Sequence, residues 1–484
     1  MFDKIKQLSK DTAIYGISTI VGRFLNFLLV PLYTNIFPPG DYGVVANIYI
    51  FIAIMNVVML FGMDAAYLKY ASAKTIGDEK DNFSTPFISV FTASLFFSLL
   101  LILFNRGVFA AVGVPEEYDN FIYYVSAILF VDAIASLPFV QLRLKRKAKK
   151  FAAFKIINIT VNVILNLYLI LYLRWNIEAI FISNLAASVV SFVLLIPDVI
   201  KSLRIKINVE LLKKLLKFGI PYLPAGLASM IIQGIDRPIL TSLTDLNTNG
   251  IYQANHKLGI FMMLFVSMFQ YAWQPFFLQQ ASEENAKNIF SKVLTYFAIA
   301  AATIWIVISL FINDIVQFEV FHKTLIGREY WSGLNIVPVI LLGYLFNGIY
   351  VVLTAGIFIK EKSIYIPFIT GLGALVNVVV NLLLIPEIGI MGAAIAMLAS
   401  YFAMAVAIYV VTQKFYHIKY ELNRLSKLFL LMIISGSLYY YLSYNHQLNI
   451  FLKLLMLSVF VLLLIFFIID REELKAIKKR FIKN

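Results

Sequence analysis

The stretch GISTIVGRFLNFLLVPLYTNIF, residues 16–37, is apolar almost throughout but carries an arginine near its middle. It is long enough to cross a bilayer as one helix, because a span needs about 20 apolar residues. A charge at the centre of such a helix costs roughly 2.5–3.5 kcal/mol on insertion scales. Arg23 is therefore expected to face water, an acidic partner or an anionic ligand rather than lipid.

The composition of the whole chain is that of a membrane protein. Of its 484 residues, 61% are hydrophobic and only 14% are charged, whereas soluble domains carry about 25% charged residues. The chain has no cysteine and its four histidines lack metal-ligand spacing, which argues against disulfides and thiolate metal sites. The sequence predicts no bound cofactor and no firm metal site.

Apolar stretches predict fourteen transmembrane helices and hence an all-α integral membrane protein. They cover residues 12–36, 42–68, 84–105, 119–143, 151–174, 177–200, 217–241, 250–279, 287–313, 331–359, 363–385, 389–413, 425–444 and 448–469. With an even number of spans both chain ends lie on one side. Loops on that side hold 33 of the 41 Lys and Arg residues, against five on the other side. Both termini are therefore predicted to be cytoplasmic.

The net charge of +14 follows from this topology, so it gives no reason to expect a nucleic-acid partner. The most basic run, RLKRKAKK at 143–150, is interpreted as a cytoplasmic anchor that contacts anionic lipid.

A weak internal repeat divides the chain. VPLYT at 30–34 aligns with RPILT at 237–241, and Gly43 aligns with Gly250, both at an offset of 207 residues. NVILN at 162–166 aligns with NVVVN at 377–381. Because six spans is an even number, the halves are parallel repeats related by an axis along the membrane normal. The predicted units are a first lobe at 1–205, an amphipathic cytoplasmic linker at 206–216, a second lobe at 217–415, and two further spans with a basic tail at 416–484.

Polar side chains recur at helical spacing on the first helices of each lobe and predict an internal cavity between the lobes. The predicted substrate-binding residues are Arg23, Asn26, Gln233, Arg237, Lys257 and Trp273. Guanidinium groups match the oxygens of phosphate, so an anionic substrate is expected. Small and polar residues also pack membrane helices, however, and Arg23 could instead pair with Asp64, Asp132 or Asp236.

The sequence resembles the polysaccharide-export flippases of O-antigen type. The resemblance rests on YGISTIVGRFLNFLLVPLYTNIFPPGDYGVVANIY at 15–49 and NVVVNLLLIPEIGIMGAAIA at 377–396. It implies a two-lobed fold that flips an undecaprenyl-diphosphate-linked oligosaccharide across the bacterial cytoplasmic membrane by alternating access. Partners implied are the lipid-linked glycan, the membrane and other glycan-assembly proteins.

Related lipid II flippases share an arginine in the first helix, which Arg23 matches, and a sodium site. Asp236 and Asn377 match two residues of that site, but Asn381 stands where a second Asp would be. The resemblance thus implies a cation site at these three residues, with Na⁺ or H⁺ left open as coupling ion.

Three other functions remain as alternatives. A lipid II flippase would use the same mechanism, whereas a multidrug extruder would want acidic groups in its cavity. A glycan polymerase would need a large outer loop, and the longest one here, about residues 314–330, is short. A transporter rather than an enzyme is therefore expected.

Overall fold

The structure is a computed structural model. It describes residues 16, 20–73, 77–281, 283–320, 323–445 and 447–468. The predicted cytoplasmic ends of the chain and the start of the first predicted span lie outside these residues.

The described part of the first half of the chain forms eight helices, some of them consecutive parts of one span. They are α1 (Ile20–Thr34), α2 (Pro39–Leu60), α3 (Met63–Ala73), α4 (Glu79–Leu103), α5 (Asn105–Ala111), α6 (Phe121–Leu144), α7 (Ala148–Tyr172) and α8 (Glu178–Ser202). A short 3₁₀ turn, Glu116–Tyr118, precedes α6.

The second half continues with the predicted linker and ends with two further helices. The elements are α9 (Val209–Gly219), α10 (Tyr222–Gly234), α11 (Asp236–Leu243), α12 (Leu246–Lys257), α13 (Ile260–Gln280), α14 (Ala286–Gln317), β1 (Glu319–Val320), β2 (Lys323–Thr324), a 3₁₀ turn (Arg328–Ile336), α15 (Val337–Leu353), α16 (Ala355–Ile359), α17 (Tyr365–Ile388), α18 (Ile390–Phe415), α19 (Leu422–Tyr444) and α20 (Ile450–Phe467). The two strands form a small antiparallel hairpin.

The helical membrane fold predicted from the sequence is confirmed, apart from the small hairpin, but the count of fourteen spans is not. Within the described residues, 12 helices are long and apolar enough to cross a membrane, or 13 if the bent pair α9–α10 is one span. The shortfall falls on the first and seventh predicted spans. The start of the first predicted span lies outside the described residues, so α1 is described only over Ile20–Thr34, and the seventh span is divided between α10 and α11.

Prolines explain why the seventh span is broken. Pro221 lies between α9 and α10, where the axis bends by 41°, and Pro238 lies inside α11. Each proline lacks an amide hydrogen and so removes one helical hydrogen bond. The helix α9, which follows the start of the linker predicted at 206–216, ends at Gly219, two residues before Pro221.

The two halves of the chain meet at the end of the spans that is predicted to be external. Gly43 on α2 packs directly on the backbone of Leu246, and Gly250 on α12 packs on the backbone of Pro39, with no room for a side chain at either glycine. Both pairs of residues are related by the repeat offset of 207. This crossing is thus symmetric, and each half supplies the same two positions.

A hydrogen-bonded cluster continues this contact and is called here the outer lock, comprising Asn47, Asn249 and Thr241. Asn249 Nδ2 donates to Asn47 Oδ1 at 2.9 Å and to Thr241 Oγ1 at 3.0 Å, and Asn47 Nδ2 donates to Thr241 Oγ1 at 2.9 Å. Farther out, the Tyr330 hydroxyl donates to the Phe37 carbonyl at 2.7 Å. The halves are therefore joined by hydrogen bonds at this end.

The last two helices, α19 and α20, pack on α14. An ion pair between Lys453 Nζ on α20 and Asp314 Oδ2 on α14, 2.5 Å apart, holds them there. Lys453 is buried, so removing Asp314 would leave a charge without its partner, which is costly in an apolar environment. The pair fixes α20 against the second half of the chain.

The orientation can be tested directly because the chain has no native cysteine. A cysteine at exposed Glu116 should react with a membrane-impermeant maleimide in intact cells, whereas a cysteine at exposed Lys149 should react only after permeabilisation. This follows from the excess of Lys and Arg on the cytoplasmic side. Labelling of the Glu116→Cys variant by permeant reagents alone would contradict the predicted topology.

Candidate functional site

A cavity of about 840 Å³ lies between the two halves of the chain. Its polar lining includes Arg23, Asn26, Gln233, Arg237, Gln253, His256, Lys257, Ser267, Gln270, Tyr344, Asn347 and Tyr401. Five of the six predicted substrate-binding residues are among them. The structure thus brings residues from both halves of the chain around one space.

Arg23 projects from α1 into this cavity. Its Nη1 donates to Ser267 Oγ on α13 at 3.0 Å, and the side chain is exposed. Within the described ranges no carboxylate lies within 4.0 Å of its guanidinium. Asp132, one of the expected acidic partners, instead has Ser188 and Lys155 as its polar neighbours. Arg23 therefore retains donors that point at the cavity.

Arg237 reaches the cavity from the second half of the chain, at the start of α11. Its Nε donates to Gln253 Oε1 at 2.7 Å and its Nη1 donates to the Gln233 carbonyl at 3.1 Å. The guanidinium passes over Gly234, where a Cβ would collide with it. These contacts fix the direction of the side chain without neutralising its charge.

Lys257 lies where the eighth predicted span is interrupted. α12 ends at Lys257 and α13 begins at Ile260, and the turn between them is tightened by bonds such as Gly259 N to the His256 carbonyl at 3.0 Å. The Lys257 side chain is exposed to the cavity. Discontinuous helices are typical of transporter binding sites.

The cavity is cationic. Arg23, Arg237 and Lys257 line it, and none of the lining residues in the described part of the chain is Asp or Glu. Anions are attracted into clefts lined by one sign of charge. The arrangement can hold an anionic group between the two halves.

Trp273 lies away from the cavity. Its indole Nε1 donates to the Val352 carbonyl at 3.2 Å, and its ring packs among Phe269, Phe277 and Phe290. Only 3% of the residue is exposed. The structure thus places Trp273 in helix packing, where its buried N–H has a partner, and outside the cavity lining.

The three residues of the predicted cation site are buried. Asp236 Oδ2 accepts a hydrogen bond from the Tyr252 hydroxyl, whereas Asp236 Oδ1 has no partner. Asn381 Nδ2 donates to Asn377 Oδ1 at 2.9 Å, which leaves Asn381 Oδ1 and Asn377 Nδ2 without partners. Buried acceptors without donors are costly unless a ligand, water or cation meets them.

The repeat supplies a comparison inside the same chain. In the first half, Asn166 Nδ2 donates to Asn162 Oδ1 at 3.2 Å, as in the second half, but Asn166 Oδ1 accepts a hydrogen bond from the Tyr33 hydroxyl at 2.8 Å. In the second half, Asn381 Oδ1 has no hydroxyl donor of this kind among the described residues. The two asparagine pairs therefore share a geometry, and only the second-half pair keeps an unpartnered oxygen.

One wall of the cavity, formed by α15 and α18, was not predicted from the sequence. Tyr344, Asn347 and Tyr401 supply it. Tyr344 and Asn347 are three positions apart on a helix that is otherwise nearly all apolar, a spacing that puts both on one face. That spacing is the signal that could have identified them.

Solved structures share this fold. A lipid II flippase MurJ in an inward closed conformation is 17% identical, covers 93% of this chain and 98% of its own, and has a TM-score of 0.73. A MATE multidrug transporter in an inward-facing conformation is 11% identical, covers 81% and 94%, and has a TM-score of 0.66. At these identities the likeness concerns the fold, which is that of a multi-pass membrane protein.

One curated relative and one family model match the sequence. An uncharacterised membrane protein of Methanocaldococcus jannaschii is 23% identical over 442 residues, which are 82% of this chain and 83% of the relative. The model of a family described as "Polysaccharide biosynthesis protein" matches residues 34–330. Since this match spans more than half of the chain, the protein belongs to the polysaccharide biosynthesis protein family.

Proposed function

We propose that this protein is a flippase that moves an undecaprenyl-diphosphate-linked oligosaccharide across the cytoplasmic membrane by alternating access. The headgroup crosses through the cavity between the halves of the chain, and the lipid tail stays in the bilayer. Family membership supports a role in polysaccharide biosynthesis, and the fold is shared with a lipid II flippase. No catalytic step is part of the proposal.

The observation that carries the proposal is the set of three cations in the cavity, for which the described residues supply no acidic partner within 4.0 Å. Arg23 reaches the cavity from the first half of the chain, and Arg237 and Lys257 reach it from the second half. Their guanidinium forks and ammonium group match the oxygens of a diphosphate. When several cations share one diphosphate, each contributes only part of the binding. The headgroup can then be released as the two halves of the chain move apart during alternating access.

The same lining separates the alternatives. Extrusion of cationic drugs would call for carboxylates, and the cavity lining of the described residues has none. A lipid II flippase handles the same diphosphate, so the cations do not distinguish it from the proposed glycan flippase. A transport assay that compares lipid II with an undecaprenyl-diphosphate-linked oligosaccharide would distinguish the two functions.

The proposed function can be tested with purified protein in liposomes. A fluorescent undecaprenyl-diphosphate-linked oligosaccharide is placed in both leaflets, and an impermeant glycosidase is added outside. With active protein the enzyme should cleave nearly all of the glycan, because inner-leaflet lipid is carried out to it. Cleavage limited to the outer-leaflet fraction, as in protein-free liposomes, would overturn the proposal.

A coupling cation at Asp236, Asn377 and Asn381 is a second part of the proposal. The unpartnered oxygens of Asp236 and Asn381 support it. The site carries one formal negative charge, so either Na⁺ or H⁺ on the carboxylate would neutralise it. A cation that binds this site from one side of the membrane and leaves it to the other side would favour different conformations when bound and when absent. Its binding and release would thus drive the change of conformation.

Asp236→Asn is expected to abolish the stimulation of transport by a Na⁺ or H⁺ gradient while leaving binding of the lipid substrate intact. The amide cannot carry the charge that the gradient acts on. Transport in liposomes with and without each gradient measures this, and Glu329→Gln, at an exposed carboxylate outside the cavity lining, is the control. Equal transport without either gradient, unchanged by Asp236→Asn, would show that the cluster is only structural.

A further inference from the structure

The wall formed by α15 and α18 differs in chemistry from the cationic side of the cavity. Tyr344, Asn347 and Tyr401 present ring faces, hydroxyls and an amide, and the lining residues of these two helices in the described chain carry no charge. Met397 and Met404, both almost fully buried, also line the cavity on this side. The cavity thus has one side for an anion and one uncharged, aromatic side.

The polar groups of this wall are available for a ligand. In the described structure the side chains of Tyr344, Asn347 and Tyr401 make no hydrogen bond to protein, although they line a cavity inside the membrane fold. Polar side chains that pack helices normally find a partner. In contrast, Thr370 on the neighbouring helix α17 donates to the Ile366 carbonyl at 2.9 Å.

The wall begins next to the cations. The His256 ring, adjacent in sequence to Lys257, lies 6.2 Å from the Tyr344 ring, and the Tyr344 ring lies 6.3 Å from that of Tyr401. A group bonded directly to a diphosphate held by Arg237 and Lys257 would therefore meet Tyr344 first. In the proposed substrate that group is the first sugar.

We infer that Tyr344, Asn347 and Tyr401 form a subsite for the first sugar of the lipid-linked substrate and select an uncharged sugar there. This inference rests on the proposed function. Aromatic faces cover the apolar face of a sugar ring, while hydroxyl and amide groups pair with its hydroxyls. A carboxylate on that sugar would lose its hydration without gaining a partner, which is costly. At about 840 Å³ the cavity lies within the ~300–1,000 Å³ range of small-molecule sites, so the rest of a long glycan would extend beyond it.

The test uses binding of three lipids to the purified full-length protein in nanodiscs: undecaprenyl diphosphate, its N-acetylglucosamine conjugate and its glucuronic acid conjugate. Wild type should bind the N-acetylglucosamine conjugate about tenfold more tightly than bare undecaprenyl diphosphate, since net hydrogen bonds contribute about 1 kcal/mol each. The glucuronic acid conjugate should show no such gain.

A triple variant, Tyr344→Phe with Asn347→Leu and Tyr401→Phe, keeps the packing and removes the polar groups. It should lose the tenfold gain and bind bare undecaprenyl diphosphate as wild type does, whereas Tyr409→Phe, outside the cavity lining, should change nothing. Equal binding of all three lipids by wild type would overturn the sugar subsite and leave the proposed function standing. Failure of wild type to bind any of them would overturn both. If the triple variant also failed to bind bare undecaprenyl diphosphate, the sugar subsite would not be separate from the diphosphate site, and the inference would be overturned.

Discussion

Replacing Arg23 by alanine is expected to reduce flipping of the lipid-linked glycan by about 10- to 100-fold, because a hydrogen bond to a charged group contributes about 1.5–3 kcal/mol. The folded protein should accumulate normally, since among the described residues the Arg23 side chain makes a single hydrogen bond, to Ser267 Oγ. The liposome assay measures the rate, and thermal unfolding of the purified variant measures stability.

Two variants control this prediction. Arg23→Lys should restore only part of the rate, because an ammonium lacks the fork that binds two phosphate oxygens at once. Ser267→Ala removes the protein contact of Arg23 and keeps the guanidinium, so most transport should survive. A destabilised Arg23→Ala protein that regains both stability and transport on neutralising Asp132 would instead show a buried ion pair.

The positions of the spans could be predicted from the sequence because hydropathy reports burial in lipid directly. Each predicted stretch overlaps at least one helix of the structure. The breaks within spans could not be placed in the same way. Pro221 was visible, but the break between Lys257 and Ile260 depends on Gly259 packing against Ile340 and Tyr344, contacts between residues far apart in sequence.

The same distinction holds for the site. Arg23 and Arg237 could be assigned to a cavity because a charge facing lipid is costly. The position of Trp273 could not be predicted in this way. The single N–H donor of an indole can bond to a backbone carbonyl between packed helices as well as to a ligand, and in the structure it bonds to the Val352 carbonyl. The free oxygen of Asn381 was equally hidden, since only the structure shows that its repeat partner Asn166 has a Tyr33 hydroxyl and Asn381 has none.

Alternating access requires the outer lock to open once in every transport cycle. In this structure Asn47 and Asn249 are fully buried in contact with each other, and the glycines beside them leave no space between α2 and α12. A substrate in the cavity could not pass this end while the lock is closed. The lock therefore separates the cavity from the predicted external side, and holding it shut should stop transport without touching the binding residues.

Cross-linking Asn47→Cys to Asn249→Cys with a short bifunctional thiosulfonate is expected to abolish flipping almost completely, and a reducing agent should restore it. The chain has no native cysteine, so the reagent has no other target. Both positions are buried when the lock is closed, so the reaction itself should occur only during opening and should accelerate when substrate is present. The matched control is Arg106→Cys with Asp119→Cys, whose native side chains approach within 3.4 Å inside the first half of the chain; its cross-link should leave flipping unchanged. If the Asn47–Asn249 cross-link forms fully and the rate persists, the two halves do not separate here, and the glycan must leave the cavity by another path.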